Sequence, residues 1–224
     1  MIPGKAFMIR ALVFDFDGLI VDTETPIIDA YAEVFAAYGH PFDRDLLARN
    51  TGHSDYAFDP WQAFGPTADR EALESERRQR NRERDRVQPV LPGVVSLLDQ
   101  AAAAGVRVGL ASNSTHEHVE RHLRRIGLLE RFEFLACRGD APSPKPEPDL
   151  YRLVLAHFGL RGFEAVALED SGPGTLAAKR AGLWVVAIPN GSTVLHDFAH
   201  VDLRVNSMAD CSLTALRKRF ENQK

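Results

Sequence analysis

Two aspartates one residue apart close an apolar run near the start of the chain, in Leu12-Val13-Phe14-Asp15-Phe16-Asp17-Gly18. A short apolar run before a glycine-marked turn reads as a buried strand. In open α/β sheets, ligands bind at the carboxyl ends of the strands. Side chains alternate along extended chain, so Asp15 and Asp17 share one side if the extension persists that far. Two carboxylates there repel each other unless a cation lies between them or one is protonated. Either condition supports chemistry, because a metal-bound carboxylate can be a nucleophile and a protonated neighbour a general acid. The bare tetrapeptide would serve equally as an ordinary turn, since Asp and Gly favour turns for local reasons. The polar groups at the ends of the other apolar runs decide between the two.

After the run Val106–Ala111 comes Ser112-Asn113-Ser114-Thr115. Ser114 with Glu117 fits a capping box, and a hydroxyl at a helix N-terminus is a natural phosphate site. Lys145 stands among Pro142, Pro144, Pro146 and Pro148. A loop so stiffened can fix an ammonium between two anions, although alone it reads as a surface lysine in a linker. Glu169 and Asp170 end a further apolar run and precede Ser171-Gly172-Pro173-Gly174. Carboxylates at such a place need a cation partner. Oxygen ligands together with water and phosphate suit Mg²⁺.

The elements that must hold these groups can be read from spacing. Strands are expected at Leu12–Phe14, Val106–Ala111, Phe134–Ala136, Ala165–Leu168, Trp184–Ile188 and Leu203–Val205. Helices are expected at Pro26–Tyr38 behind an N-cap at Thr25, then at Asp43–Arg49, Ala68–Val87, Val94–Ala104, Thr115–Ile126, Asp149–Phe158, Gly172–Ala181 and Met208–Phe220. Strands alternating with helices imply a parallel sheet covered on both faces. Residues 25–88 hold no strand-like run and are too many for a simple crossover. They read as an inserted all-helical domain, in which Trp61 and Phe64 pack between helices.

The chain has 224 residues, 45% of them hydrophobic and 26% charged, with a net charge of −4. That composition describes an ordinary globular protein with no general attraction to nucleic acid or anionic membrane. Two cysteines, Cys137 and Cys211, make no disulfide framework and point to a reducing, cytoplasmic setting. No apolar stretch has the length of a membrane span, and the first ten residues lack the core of a signal peptide. Met8 is an alternative start. The six arginines between Arg77 and Arg86 interleave with Glu74, Glu76, Glu83 and Asp85, so a solvated, ion-paired helix face outweighs a nucleic-acid patch. His118-Val119-Glu120-Arg121-His122 has its histidines at i,i+4, but Glu120 does not adjoin the first, as the zinc protease motif requires. An exposed helix face is expected there.

Taken in order, Asp15-Phe16-Asp17-Gly18, Ser112-Asn113, Lys145-Pro146 with Pro148-Asp149, and Glu169-Asp170-Ser171 resemble the four motifs of the haloacid dehalogenase (HAD) superfamily. The finer resemblance is to its β-phosphoglucomutase-like phosphatase branch. It is carried by Asp22-Thr23-Glu24, Leu91-Pro92-Gly93-Val94, and Asp170-Ser171 followed by Gly174, Ala177-Ala178 and Ala181-Gly182. It spans nearly the whole chain and is weakest from about residue 30 to 86.

The resemblance implies an α/β fold. A Rossmann-like parallel-sheet core would comprise residues 1–22 and 90–224, and an inserted helical cap domain residues 23–89. It implies a Mg²⁺-dependent phosphatase that hydrolyses a small phosphorylated metabolite through an aspartyl phosphate. A sugar monophosphate is favoured and phosphoglycolate is second. By that resemblance Asp15 is the nucleophile and Asp17 the acid and base. Ser112, the Asn113 backbone amide and Lys145 bind the phosphoryl group. Asp15, the Asp17 carbonyl, Glu169 and Asp170 hold the metal. Gly52, His53 and Asp55, with Trp61 beside them, would select the substrate from the cap. A monomer is expected, without nucleic-acid or membrane partners.

Mutase-type members of the branch carry a histidine where this chain has Pro26 and Ile27, and a cap arginine where it has His53, Ser54 and Asp55. Water is therefore the expected phosphoryl acceptor, with a β-phosphoglucomutase-type sugar phosphate mutase as the alternative. More remote are a dehalogenase proper, which needs no acid at Asp17, a non-enzymatic phospho-acceptor, which needs no insert, and a nucleic-acid module.

Overall fold

The computed structural model describes residues 8–50 and 58–221. Six strands form one parallel sheet: β1 (Ala11–Phe14), β2 (Arg107–Ala111), β3 (Phe134–Ala136), β4 (Ala165–Glu169), β5 (Trp184–Ala187) and β6 (Leu203–Arg204). Their order is β3-β2-β1-β4-β5-β6, that of a Rossmann-like α/β fold. Strand β1 is central, and its four residues are completely buried. Period-two alternation along it feeds two separate cores. Leu12 and Phe14 join one with Leu97, Leu110 and Phe220, while Ala11 and Val13 join the other with Tyr151, Val154 and Ala178.

The helices in chain order are α1 (Glu24–Ala37), α2 (Arg44–Ala48), α3 (Arg70–Val87), α4 (Val94–Ala103), α5 (His116–Arg125), α6 (Asp149–Phe158), α7 (Gly172–Arg180) and α8 (Leu213–Phe220). Helix α1 starts earlier than the spacing predicts. Thr23 is its N-cap residue, and Asp22 rather than Thr25 does the capping work, accepting the Thr25 N–H at 3.0 Å. The expected closing helix Met208–Phe220 is two pieces. Ser207 caps a single 3₁₀ turn at Met208–Asp210, and Ser212 caps α8 by accepting the Ala215 N–H at 3.1 Å.

Helices α1 to α3 stand between β1 and β2 in sequence and carry their own core of Ile28, Tyr31, Val34, Phe35, Leu47, Trp61 and Leu73. Trp61 is buried there, stacked on Phe35 with centroids 5.7 Å apart. The arginines of α3 are spent largely within this block. Arg77 meets Glu74 at 2.7 Å and lies over the Tyr31 ring, Arg80 meets Glu76 at 2.5 Å, and Arg84 pairs with Glu33 on α1. The block leaves and rejoins the sheet region through two adjacent strands of chain, where Leu91 N–H donates to the Ile20 carbonyl at 2.9 Å and Val21 bridges Val90.

Candidate active site

Strand β1 stops at Phe14, so both aspartates lie just beyond it. Gly18 turns the chain there with φ of 77°, and Gly18 N–H donates to the Val21 carbonyl at 2.8 Å. A Cβ at Gly18 would stand 2.3 Å from Asp170 Oδ2, so the turn needs glycine for close approach as well as for its positive φ. This local turn separates the two carboxylates, which face different partners instead of sharing one cation.

Asp15 faces Lys145. The Lys145 Nζ donates to Asp15 Oδ1 at 2.5 Å, Glu169 Oε1 at 2.6 Å and the Ala111 carbonyl at 2.7 Å, which uses all three of its protons. The lysine expected to be exposed were it a linker residue is 3% exposed. Asn113 fixes its backbone from both sides, accepting the Lys145 N–H at 2.8 Å and donating to the Lys145 carbonyl at 3.2 Å. Glu169 Oε1 also accepts the Tyr151 hydroxyl at 2.6 Å. A Cβ at Gly174 would lie 2.1 Å from the Glu169 oxygens, so the glycine admits that carboxylate against the first turn of α7. Asp170 is held by Asn190, whose Nδ2 donates to Asp170 Oδ2 at 2.8 Å and to the Gly18 carbonyl at 2.9 Å.

Asp17 turns the other way. Thr23 Oγ1 donates to its Oδ1 at 2.7 Å and Ser114 Oγ to its Oδ2 at 2.6 Å, with Ser112 Oγ at 3.4 Å. His118 Nε2 lies 2.9 Å from Oδ1. Ser114 is thus a partner of Asp17, and the cap of α5 is Thr115, which accepts the His118 N–H at 3.4 Å. The expected exposed histidine face is also corrected. His122 is buried, and His118 sets its ring edge-on to Phe16 with centroids 5.7 Å apart.

The electrostatics follow from burial and partner. Burial raises the Asp15 carboxyl well above the usual carboxylate range, Glu169 and Asp17 add to that, and Lys145 opposes it. Burial raises Asp170 likewise, with Asp15 and Glu169 adding their charge. For Asp17, burial is outweighed by His118, Ser114 and Thr23, which bring it to about 2. Lys145 is raised: burial works against the ammonium, but Asp15 and Glu169 more than offset it.

Asp15, Glu169 and Asp170 each bring a carboxylate oxygen within 4.8 Å of the others. Three buried carboxylates against one ammonium leave an excess of negative charge, and the donors are all oxygen. That set fits a hard divalent cation such as Mg²⁺. Beside it lies a cavity of about 110 Å³ lined by Asp15, Asp17, Glu24, Ser112, Asn113, Ser114, Arg138, Lys145, Asp170 and Ser171. Every core residue singled out in the sequence except Glu169 lines this cavity, and Glu169 stands behind it. Gly52, His53 and Asp55 lie outside the described residues. Tyr151, Asn190, His118 and Ser114 were not picked out for these contacts. Only Ser114 carried a signal, as a second hydroxyl at a helix start.

Glu24, the first residue of α1, is also on the wall. Burial, with Asp17 and Asp22 adding to it, raises its carboxyl to about 8. In the folded chain it keeps a proton that the unfolded chain releases near pH 4.5. Stability therefore falls as pH rises through that window, and the loss is complete above about 8. Glu24→Gln should abolish this dependence. Its melting temperature should exceed wild type by a few degrees at pH 8 and by little at pH 5, as read by calorimetry. An equal difference at both pH values would exclude a raised carboxyl.

The family model for haloacid dehalogenase-like hydrolases matches residues 12–188. YhcW of Bacillus subtilis is 36% identical over 220 residues, covering 96% of this chain and all of that one. The phosphorylated carbohydrates phosphatase of Thermotoga maritima is 30% identical over 178 residues, covering 78% of this chain and 82% of the enzyme. Among solved structures, the β-phosphoglucomutase of Clostridium difficile superposes with a TM-score of 0.73 at 20% identity, over 95% of this chain and 97% of that one. At that identity the likeness speaks for the fold alone.

Proposed function

The chain belongs to the haloacid dehalogenase-like hydrolases and is a phosphatase of that family, and on that premise we propose that it hydrolyses a sugar monophosphate through an aspartyl phosphate on Asp15. The observation that carries this reading is the Lys145 ammonium on Asp15 and Glu169 at the wall of a polar cavity. Such a cavity is preorganised for an anion that neither carboxylate could approach unaided.

In this reading the substrate phosphoryl group enters between Ser112, the Asn113 backbone amide and Lys145. Asp15 attacks phosphorus, and the Asp15–phosphorus bond forms as the ester bond breaks. Asp17 gives a proton to the departing alcohol. Asp17 then takes a proton from the water that attacks the aspartyl phosphate, which releases inorganic phosphate and restores Asp15. Asp15, Glu169, Asp170 and the Asp17 carbonyl would hold Mg²⁺. That ion, when bound, supplies charge neutralisation at the phosphoryl oxygens. With four donors on its carboxylate, Asp17 is ionised in the arrangement seen here, which is the form that accepts the proton of the attacking water; to serve as the acid in the first step it must first take up a proton from solvent.

Asp17→Asn should lower kcat by about 10²–10⁴-fold with KM within about threefold, because the proton transfer it removes is felt only in the transition state. Steady-state kinetics on the best substrate checks this. A variant with normal kcat would remove Asp17 from the mechanism.

The cavity of about 110 Å³ is smaller than the ~300–1,000 Å³ of whole-ligand pockets, so it suits the phosphoryl end of a substrate. The remainder would lie against the α1–α3 block, which acts in this reading as a cap over the site. Hydrolysis is preferred to mutase chemistry because Pro26 and Ile27 supply no histidine to the site. The test is phosphate release over a panel of sugar monophosphates and phosphoglycolate, with Mg²⁺ and with EDTA. Metal-dependent phosphate release is expected. Primer-dependent conversion of β-glucose 1-phosphate to glucose 6-phosphate as the main reaction would establish the mutase instead.

A further inference from the structure

Two polar side chains of the loop after β5, Asn190 and His196, stand outside the catalytic reading. Asn190 holds Asp170, as described. Six residues on, His196 joins two helix ends that belong to different parts of the molecule. Its Nδ1 accepts the Gly172 N–H at 3.0 Å, and its Nε2 lies 3.1 Å from the Ala48 carbonyl. Gly172 is the first residue of α7, directly after Glu169-Asp170-Ser171, and Ala48 is the last residue of α2.

Both groups are helix-end orphans, which have no partner within their own helices. An amide N–H can only donate and a carbonyl can only accept. The ring must therefore be the neutral tautomer with its proton on Nε2, accepting from α7 and donating to α2. The loop that presents the ring is internally braced. Asn190 N–H donates to Thr193 Oγ1 at 3.1 Å, and His196 N–H donates to the Thr193 carbonyl at 3.0 Å. Thr193 is fully buried. Gly172 leaves room for the approach, since a Cβ there would meet His196 Cβ at 3.3 Å.

We propose that His196 is a positioning residue that docks the α1–α3 block onto the core by tying the end of α2 to the start of α7. Among the described residues its hydrogen bonds run to Gly172 and Ala48 and not to the reacting groups. Its effect is on where the helical block stands over the cavity, and so on substrate affinity. That consequence rests on the phosphatase reading, whereas the docking itself does not.

The test uses the two amides that mimic one ring nitrogen each. In His196→Asn the side-chain oxygen can replace Nδ1 but nothing reaches Ala48. In His196→Gln the longer amide can replace the Nε2–H donor to Ala48. Hydrogen exchange read by mass spectrometry should show faster exchange across residues 44–50 in His196→Ala and His196→Asn, and wild-type exchange there in His196→Gln. KM should rise about fivefold in the first two variants and stay within about twofold of wild type in the third, with kcat little changed throughout, as expected for one lost hydrogen bond that acts on binding. Unchanged exchange at residues 44–50 in His196→Ala, or identical behaviour of the Asn and Gln variants, would overturn the proposal. The predicted exchange pattern in a chain that hydrolyses no phosphate ester would uphold the docking role and refute the phosphatase reading separately.

Discussion

Asp15→Asn is expected to abolish turnover, with kcat reduced at least about 10⁴-fold, because an amide is neither a nucleophile toward phosphorus nor a ligand for a hard cation. The folded structure should survive the change. Asp15 is buried at the end of the central strand, and an amide of the same shape leaves β1 and its two cores untouched. Lys145 loses one carboxylate but keeps Glu169 and the Ala111 carbonyl, and removing the negative charge of Asp15 beside Glu169 and Asp170 relieves repulsion that offsets the lost pair. The variant should therefore melt near the wild-type temperature while losing activity. Phosphate release and calorimetry on the same preparation separate the two effects. A variant that is inactive because it is unfolded would leave the role of Asp15 undecided, and a folded variant with measurable turnover would exclude it as the nucleophile.

Lys145→Met should remove activity and stability together. The ammonium is buried and touches two carboxylates and a backbone carbonyl. Breaking a buried ion pair from one side leaves uncompensated charge, at a typical cost of about 3–5 kcal/mol. Here two carboxylates lose the same partner, so the cost belongs at the upper end of that range. The sign of its pH dependence is fixed. The Asp15 carboxyl is already raised by burial, and losing Lys145 raises it further. A raised carboxyl stabilises the fold less as pH increases, so the deficit should grow from pH 5 to pH 8 and shrink on acidification. Denaturant unfolding at several pH values checks this, and a pH-independent deficit would contradict it. Activity should fall by about 10³-fold or more, because in the proposed mechanism the charge of the same ammonium offsets that of the phosphoryl group.

The difference between these two residues shows what the sequence could and could not reveal. Most of the strands were legible because they are short, largely apolar runs, those of β1, β2 and β4 closing on polar groups, and the period-two alternation of β1 survives into the two cores it feeds. The α1–α3 block was legible as a run without strands. Asp15, Ser112, Lys145 and the Glu169-Asp170 pair stand at loop or strand ends, where a ligand-binding α/β sheet presents its chemistry. Lys145 is the exception in kind. Its proline-rich surroundings say that the loop is stiff, but its burial depends on Asn113 clamping its backbone from another loop. Only the ordered set of motifs pointed to it.

The partners of Asp17 were hidden for a different reason. The turn at Gly18 breaks the strand alternation, so a side-chain argument that assumes extended chain aims Asp17 at the wrong neighbours. His118 and His122 lie on a helix whose composition is overwhelmingly polar, and polarity argues for exposure. Phe16, distant in sequence, packs against both rings and buries one of them. Tyr151 and Asn190 have no local signal at all. Each becomes meaningful only when the sheet brings α6 and the loop after β5 to the acidic cluster.

The most direct test of the account is capture of the covalent intermediate. The enzyme would be mixed with Mg²⁺ and the best substrate from the panel, quenched in acid within a single turnover, and mapped by peptide mass spectrometry. The expected result is one phosphoryl mass increment on the peptide that contains Asp15, forming and decaying at rates consistent with kcat, and absent in Asp15→Asn. Phosphate released at the normal rate with no phosphorylated peptide, or with the increment on a residue other than Asp15, would contradict it.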